Sequence, residues 1–409
     1  MLKEKIPHPA FSYLIYLGCA IAFCTTPFDS HTGKNIFYIS SYIAFIAFIM
    51  NVKFYTKNYK NLILPMLFFI IGMASVLWTA YFKQPGDYIN IYRSYTSSGK
   101  LQIATAFILL ISLNERLDIK KYLSCIILLC GLAVNAYAIY QGVLLGAERV
   151  ELNFDRSTAA AYIITAVNLV VMYTIMIMNN RYRLYIYAIA FLLTLSSIIL
   201  TGTRAAIIIY PITLGISLLI NKESMTKKNK FNLSLILIAI FAICSFIFKG
   251  EIEQRIHAFQ TDLQMASQPE RENSITSRIS MQESGINAGM SAPLGQSAEQ
   301  RAREILSYVA QKPLLAGVLP YLTVHMHNEI IETFSIKGMW GVIILLALYI
   351  GLFYCSFRPI RNPMLLSISI ALFAYGCSDV VFFSSEVTIV FCLVIILSVI
   401  LVRSPIKQV

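Results

Sequence analysis

The chain has 409 residues, of which 57% are hydrophobic and only 13% charged, with a mean hydropathy of +0.67. A soluble domain carries charge on about a quarter of its residues, so this composition excludes a soluble globule and points to a helical bundle in lipid. The formal net charge of +12 does not point to nucleic acid, because the basic residues fall in short runs between apolar stretches and not along one continuous face.

Lipid gives a backbone amide no hydrogen-bond partner, so each long apolar stretch must be helical. In chain order these stretches predict twelve transmembrane helices, at 11–27, 35–52, 61–82, 100–114, 122–144, 157–178, 184–202, 204–220, 232–249, 336–356, 363–384 and 386–402. At about 1.5 Å per residue most of them suffice to cross a hydrocarbon core; the fourth is short. Lys3 and Lys5 precede the first stretch without a convincing small-residue cleavage site after it, so that helix is expected to be retained. All eight cysteines lie in or at the edge of apolar stretches, which suggests neither a disulfide framework nor a thiolate metal site.

Orientation follows from where Lys and Arg gather. The ends and alternate loops hold 18 of them, among them Lys53, Lys57, Lys60, Arg181, Arg183, Arg358 and Arg361, against 7 in the opposite short loops. The positive-inside rule then predicts cytoplasmic termini and places the one long hydrophilic segment, from Gly250 to about His327, on the outer face. Up to Pro293 that segment is polar; Ala298 to Gln311 repeats Ile305, Leu306, Val309 and Ala310 at helical spacing. The expectation is an all-α integral membrane protein of about twelve transmembrane helices with a large, partly helical periplasmic loop. Its parts are nine helices in 1–249, the loop in 250–335 and three helices in 336–409.

Three features on the outer side could carry chemistry. Arg204, in Thr201-Gly202-Thr203-Arg204-Ala205-Ala206, is wedged between two apolar spans. It could simply snorkel to headgroups, yet it lies on the side where basic residues are disfavoured. Arg278, in Thr276-Ser277-Arg278-Ile279, would by itself pass for a solvated surface residue. His327-Asn328 stands where the long loop returns to the membrane, nine residues before Gly338-Met339-Trp340-Gly341. An ordinary imidazole, with a pKa of about 6.5, suits general-base work, and two glycines three apart allow close helix approach.

Taken together, the His-Asn…Gly-x-x-Gly spacing and the two arginine motifs resemble the signature of bacterial lipopolysaccharide O-antigen ligases and of related polymerases and oligosaccharyltransferases. The motif resemblance covers roughly residues 190–345; Ala205 and Val342 depart mildly from it. The resemblance implies a GT-C-like architecture. It also implies transfer of a glycan from undecaprenyl pyrophosphate to a sugar hydroxyl of lipid A-core at the periplasmic face of the inner membrane, with no cofactor, metal or ATP. His327 would be the base and Arg204 and Arg278 would grip the diphosphate, a task suited to a permanently charged bidentate fork. Inversion at the anomeric carbon would follow from a single displacement.

Further candidates are Arg149 and Arg156 as second-tier pyrophosphate contacts, although Glu148, Glu151 and Asp155 could equally pair with them. Asn328 is expected to touch substrate. Asp379, read as an intramembrane carboxylate of the eleventh span, could orient His327 or balance an arginine. His325 and His327 lack a convincing third ligand, so no metal site is expected. Arg301 and Arg303 could belong to a solvated helix face or meet an anionic acceptor. The partners implied are the lipid-linked donor, lipid A-core and membrane lipids, with no nucleic acid and the oligomeric state open. Rival functions are O-antigen polymerase or protein O-oligosaccharyltransferase and, from another class, a flippase of lipid-linked sugars, for which paired repeats would be expected.

Overall fold

Helices account for every regular element among the described residues, which are 7–114, 117–220, 227–250, 253–254, 256–257, 260–261, 274–358 and 360–402 of the computed structural model. Loop residues 262–273, and Lys3, Lys5, Arg116, Lys222, Arg403 and Lys407 of the charge argument, lie outside them. Two helix pairs start the bundle: α1 (Pro9–Thr25) with α2 (Ser30–Met50), and α3 (Ile63–Phe82) with α4 (Ile89–Asn114). There follow α5 (Lys120–Ile139), α6 (Ser157–Ile177), α7 (Arg183–Leu200), α8 (Arg204–Ile220) and α9 (Lys227–Ile247). Two helices of the long loop, α10 (Ser274–Ser291) and α11 (Ala298–Gln311), precede α12 (Glu329–Phe357), α13 (Pro363–Ser378) and α14 (Ser385–Val402).

Nine of the described helices are long and apolar enough to cross a membrane; α1, α8 and α13 are apolar but shorter. The protein is an all-α integral membrane protein. Its centre is α6 and α14, apolar on every side and buried over most of their length, as a helix without a polar face must be. The outer helices leave Leu14, Leu17, Tyr42, Ile46 and Met50 exposed, a surface that only lipid would cover at no cost. The backbones of α3 and α4 touch where Gly72 faces Gly99: a Cβ on Gly72 would stand 2.6 Å from the Gly99 carbonyl oxygen.

Two helix starts differ from the sequence expectation. The fourth span begins at Ile89 and not at 100, because polar residues of its first half (Tyr92, Tyr95, Ser98) are buried against other protein elements and not set in lipid. Helix α12 begins at Glu329 and not at 336, and it kinks at Gly338, whose φ of 68° and ψ of −161° suit only glycine. At the kink the loop takes over the missing helical bonds: the Met339 N–H donates to the Pro293 carbonyl (2.9 Å) and the Gln296 N–H to the Ile336 carbonyl (2.8 Å). A Cβ on Gly338 would lie 2.2 Å from Pro293 O. The partner that Gly338 admits is thus a loop, where helix approach was expected, and Gly341 instead makes room for the Lys337 side chain of its own helix.

The loop forms a cap with its own small core, in which Met281, Ala288, Ile305, Val309, Leu315, Val318 and Met326 are buried together. It is fastened to the bundle through α3 and α4. The Trp78 indole N–H donates to Gln296 O (3.0 Å), and the Tyr92 hydroxyl accepts the Ala298 N–H (3.0 Å) while donating to Glu299 (2.5 Å).

Candidate functional site

Helix direction alternates along the bundle, so the starts of α4, α6, α8, α12 and α14 and the ends of α5, α7 and α13 share one end, the end that carries the cap. His327 and the candidate arginines all belong to that end.

The loop between the cap and α12 is held by a buried ion pair. Arg301 and Glu332 are both fully buried, and Nη1 donates to both carboxylate oxygens at 3.0 and 2.9 Å. The other guanidinium nitrogen, Nη2, donates to the carbonyls of Leu322 (3.2 Å) and Val324 (3.1 Å), while Glu332 Oε2 accepts the Met326 N–H (2.9 Å) and Oε1 the Tyr95 hydroxyl (3.1 Å). A buried charge pair is tolerable only when most of its remaining donors and acceptors are matched in this way. The arrangement fixes residues 322–326 from both sides. Arg301 is therefore neither on a solvated face nor in reach of an acceptor.

Asn328 caps α12: its Oδ1 accepts the N–H groups of Ile330 and Ile331, both at 3.1 Å, and its Nδ2 donates to Cys377 O at 3.1 Å. The amide is thus engaged in the fold at both ends, and only one N–H of its Nδ2 is left for the substrate contact that was expected. Between the ion pair and this cap, His327 adopts φ +49°, a left-handed conformation that a histidine keeps only when its surroundings impose it. The consequence is that His325 and His327 turn their rings together, 4.5 Å apart.

Asp379 joins them. The sequence reading put it inside the eleventh span, but α13 stops at Ser378 and the chain goes extended at Asp379, which frees the carboxylate to face the loop. Its Oδ1 lies 3.1 Å from His327 Nδ1 and 3.6 Å from His325 Nδ1; its Oδ2 lies 3.5 Å from the Tyr162 hydroxyl. Burial works against charge on Asp379, but the hydrogen bond from His327 and the nearby imidazoles outweigh it and hold the group well below the usual carboxylate range. An ionised Asp379 accepts, so in the neutral His327 ring Nδ1 carries the proton and Nε2 the lone pair. The ring is about one quarter exposed (23%), which leaves that lone pair within reach of a substrate.

His325 differs. Burial pushes its imidazole down to about 3 against the pull of Asp379, and its Nδ1 accepts the His327 N–H at 3.3 Å. It is a neutral wall of the site. Because an unfolded histidine binds a proton below about 6.5 while this one does not until about 3, acid favours the unfolded chain. Stability should fall as pH drops from 6.5 towards 3, by up to about 2 kcal/mol at pH 5, and below pH 4 the protonation of Asp379 removes its contribution as well. Melting of the detergent-solubilised protein between pH 7.5 and 5 checks this; His325→Gln should flatten the slope.

The three ligand atoms of His325, His327 and Asp379 lie within 4.8 Å of one another. The third ligand judged missing from the sequence is therefore present. A cation there would have to displace the proton between His327 and Asp379 and the His327 N–H on His325, so the donor set as arranged fits a hydrogen-bonded pair better than a metal.

The candidate arginines lie at the same end of the bundle. Arg149 Nε donates to Thr201 O (3.0 Å), the Val150 N–H donates to Leu200 O (3.0 Å), and the Thr203 hydroxyl donates to Ser157 O (3.4 Å). The Arg149 loop, the 201–204 turn and the start of α6 at Arg156 and Ser157 are thus one connected patch. Arg156 is close enough to His325 to act on it electrostatically, and Arg278 acts likewise on Tyr162. Arg204 opens α8 in the turn that adjoins the start of α6.

A family model described as O-antigen ligase matches residues 189–346, the stretch that holds Arg204, Arg278 and His327. Over 399 residues the chain is 29% identical to the O-antigen ligase of Escherichia coli (strain K12), covering 94% of this chain and 92% of that protein. The chain is thus similar to O-antigen ligases over nearly its whole length.

Tyr162, His325, Glu332 and Arg301 are residues of this candidate site that sequence reasoning missed or left unassigned. Glu329, Glu332 and Lys337 carried the signal: three charges in a segment that turns out to be the start of a span, where a charge calls for a partner. Glu329 finds the Tyr349 hydroxyl and the Phe382 N–H, both at 2.8 Å, and Lys337 finds the Ser75 hydroxyl at 2.8 Å and the face of Tyr95 at 4.3 Å.

Proposed function

We propose that the protein is a glycosyltransferase that moves an O-antigen glycan from undecaprenyl pyrophosphate to a sugar hydroxyl of lipid A-core. The observation that carries the reading is the His327–Asp379 pair, open at Nε2 and set beside Arg156 and Arg278 at one end of a membrane bundle.

In the reaction, His327 Nε2 takes the proton of the acceptor hydroxyl as that oxygen attacks the anomeric carbon. The bond from that carbon to the diphosphate breaks, and undecaprenyl diphosphate leaves. Attack opposite the leaving group inverts the anomeric configuration. Asp379 keeps the proton on Nδ1 and stabilises the imidazolium that forms. Arg204 and Arg278, with Arg149 and Arg156 beyond them, balance the charge that grows on the departing diphosphate; no nucleotide is needed because the donor already carries its leaving group. This end of the bundle is read as periplasmic and both termini as cytoplasmic, in the bacterial inner membrane.

Purified protein in liposomes should transfer glycan from the lipid-linked donor to lipid A-core without ATP and in excess EDTA. Arg278→Ala and Arg204→Ala should each lower the rate about 10²-fold or more, and lysine at either position should restore only part of it. Loss of transfer on chelation would revive a metal at His325, His327 and Asp379. Movement of donor across the bilayer without transfer would favour the flippase, and transfer only onto a second lipid-linked glycan the polymerase. The side is tested separately: Ser291→Cys, at an exposed position at the end of α10, should react with an impermeant maleimide from the periplasm. Labelling only from the cytoplasm would contradict the orientation.

A further inference from the structure

Next to the histidine centre lies a second, larger space. A cleft of about 430 Å³ is lined by Ser94, Asn153, Phe154, Asp155 and Ser384, with Phe383 between it and the ring of His325. A smaller pocket shares the Arg156, Ala159, Phe383 and Ser384 wall of this cleft and reaches His325, Asp379 and Tyr162. The cleft thus adjoins, across that shared wall, the small pocket that reaches Asp379.

The chemistry of the cleft differs from that of the arginine patch. Its carboxylates are Asp155 and Glu386; Glu386 is neutralised by Lys34 at 3.1 Å and held by the hydroxyls of Ser384 (2.9 Å) and Ser385 (2.7 Å). Asp155 makes no ion pair or hydrogen bond with any described residue, and neither does the hydroxyl of Ser94. A carboxylate in this position repels a diphosphate, and the single guanidinium at the neck, Arg156, does not reverse that. What suits the lining is an uncharged polyol. Sugar hydroxyls donate to Asp155 and exchange hydrogen bonds with Ser94 and Ser384, and the C–H face of a pyranose packs on an aromatic ring such as Phe154. The volume is that of small-molecule sites, about 300–1,000 Å³, which bind through a few well-placed polar groups.

We infer that this cleft binds an uncharged sugar unit of a glycan substrate beside the His327–Asp379 pair. The inference rests on the transfer reading for its purpose but not for its test. The same chemistry could come from the acceptor core or from the donor glycan, which binding of each glycan separates, while two substitutions locate that binding in the cleft: Asp155→Ala, at an exposed position, and Ser94→Trp, which fills the cleft.

Binding of lipid-free core oligosaccharide and of lipid-free O-antigen glycan to the full-length detergent-solubilised protein is followed by saturation-transfer NMR. In parallel, the KM for each lipid substrate is measured in liposomes. One of the two glycans should bind the wild type and lose about tenfold in affinity in both variants, the size of one charge-assisted contact. The KM for the corresponding lipid should rise by a similar factor while kcat stays within about twofold. The glycan affected names the source. If neither glycan binds the wild type, or both variants bind as the wild type does, the inference is overturned whatever the transfer assay gives. Binding lost in the variants of a protein that transfers nothing would uphold the cleft and sink the transfer reading alone.

Discussion

Arg301→Ala is expected to remove both stability and transfer, with a loss of about 3–5 kcal/mol, the usual result of leaving one member of a buried charge pair alone. The residue is fully buried against Glu332 and donates to two carbonyls of the 322–324 turn. Without it, Glu332 is an uncompensated charge under the bundle end and the turn loses the clamp that presents His325 and His327. Glu332→Gln should behave similarly, since Oε2 also holds the Met326 N–H. A double variant, Arg301→Met with Glu332→Leu, tells packing from positioning. Replacing both charges restores much of the melting temperature but leaves the Leu322 and Val324 carbonyls and the Met326 N–H unheld, so transfer should stay low. Recovery of transfer along with stability would show that the pair only supports the fold.

The second large effect is expected at Asp379. In Asp379→Asn the amide can present its NH₂ to the ring, which favours the tautomer with the proton on Nε2, the nitrogen that must accept. Transfer should fall by about 10²–10⁴-fold, the range of a general-base contribution, with KM for both lipids little changed. Asp379→Glu should retain more activity than the amide. Equal loss of melting temperature and activity in both variants would point to a structural role instead, and steady-state rates beside thermal melts decide between the two.

Much of the fold could be read from composition because a bilayer admits few solutions. The apolar run that became Ser385–Val402 must be helical, whatever its neighbours are, and Ala298–Gln311 declared itself by its apolar spacing and is helical over those same residues. What escaped was every place where polar residues enter a helix because protein, and not lipid, surrounds them. The stretch 89–100 reads as loop until Tyr92, Tyr95 and Ser98 are seen buried against the cap and α14. Glu329 and Glu332 delayed the apparent start of α12 for the same reason.

The site was legible in part. His327 and the arginines stood out by residue type and spacing, but the partner of the imidazole did not. Asp379 is 52 residues further on and looked like the middle of an apolar stretch, because nothing local marks Ser378 as a helix end. The left-handed backbone at His327, which turns two histidines of one short segment to the same carboxylate, is invisible in a sequence whose only visible rule is that alternate residues face together in an extended strand.

Transfer as proposed depends on one proton acceptor. His327→Ala, shown by its melting temperature to be folded, should be incubated in liposomes with lipid-linked donor, lipid A-core and excess EDTA. It should bind donor as the wild type does yet form no ligated product above the enzyme-free background. Product formed by this variant at a rate within about tenfold of the wild type would contradict the assignment of His327 as the base.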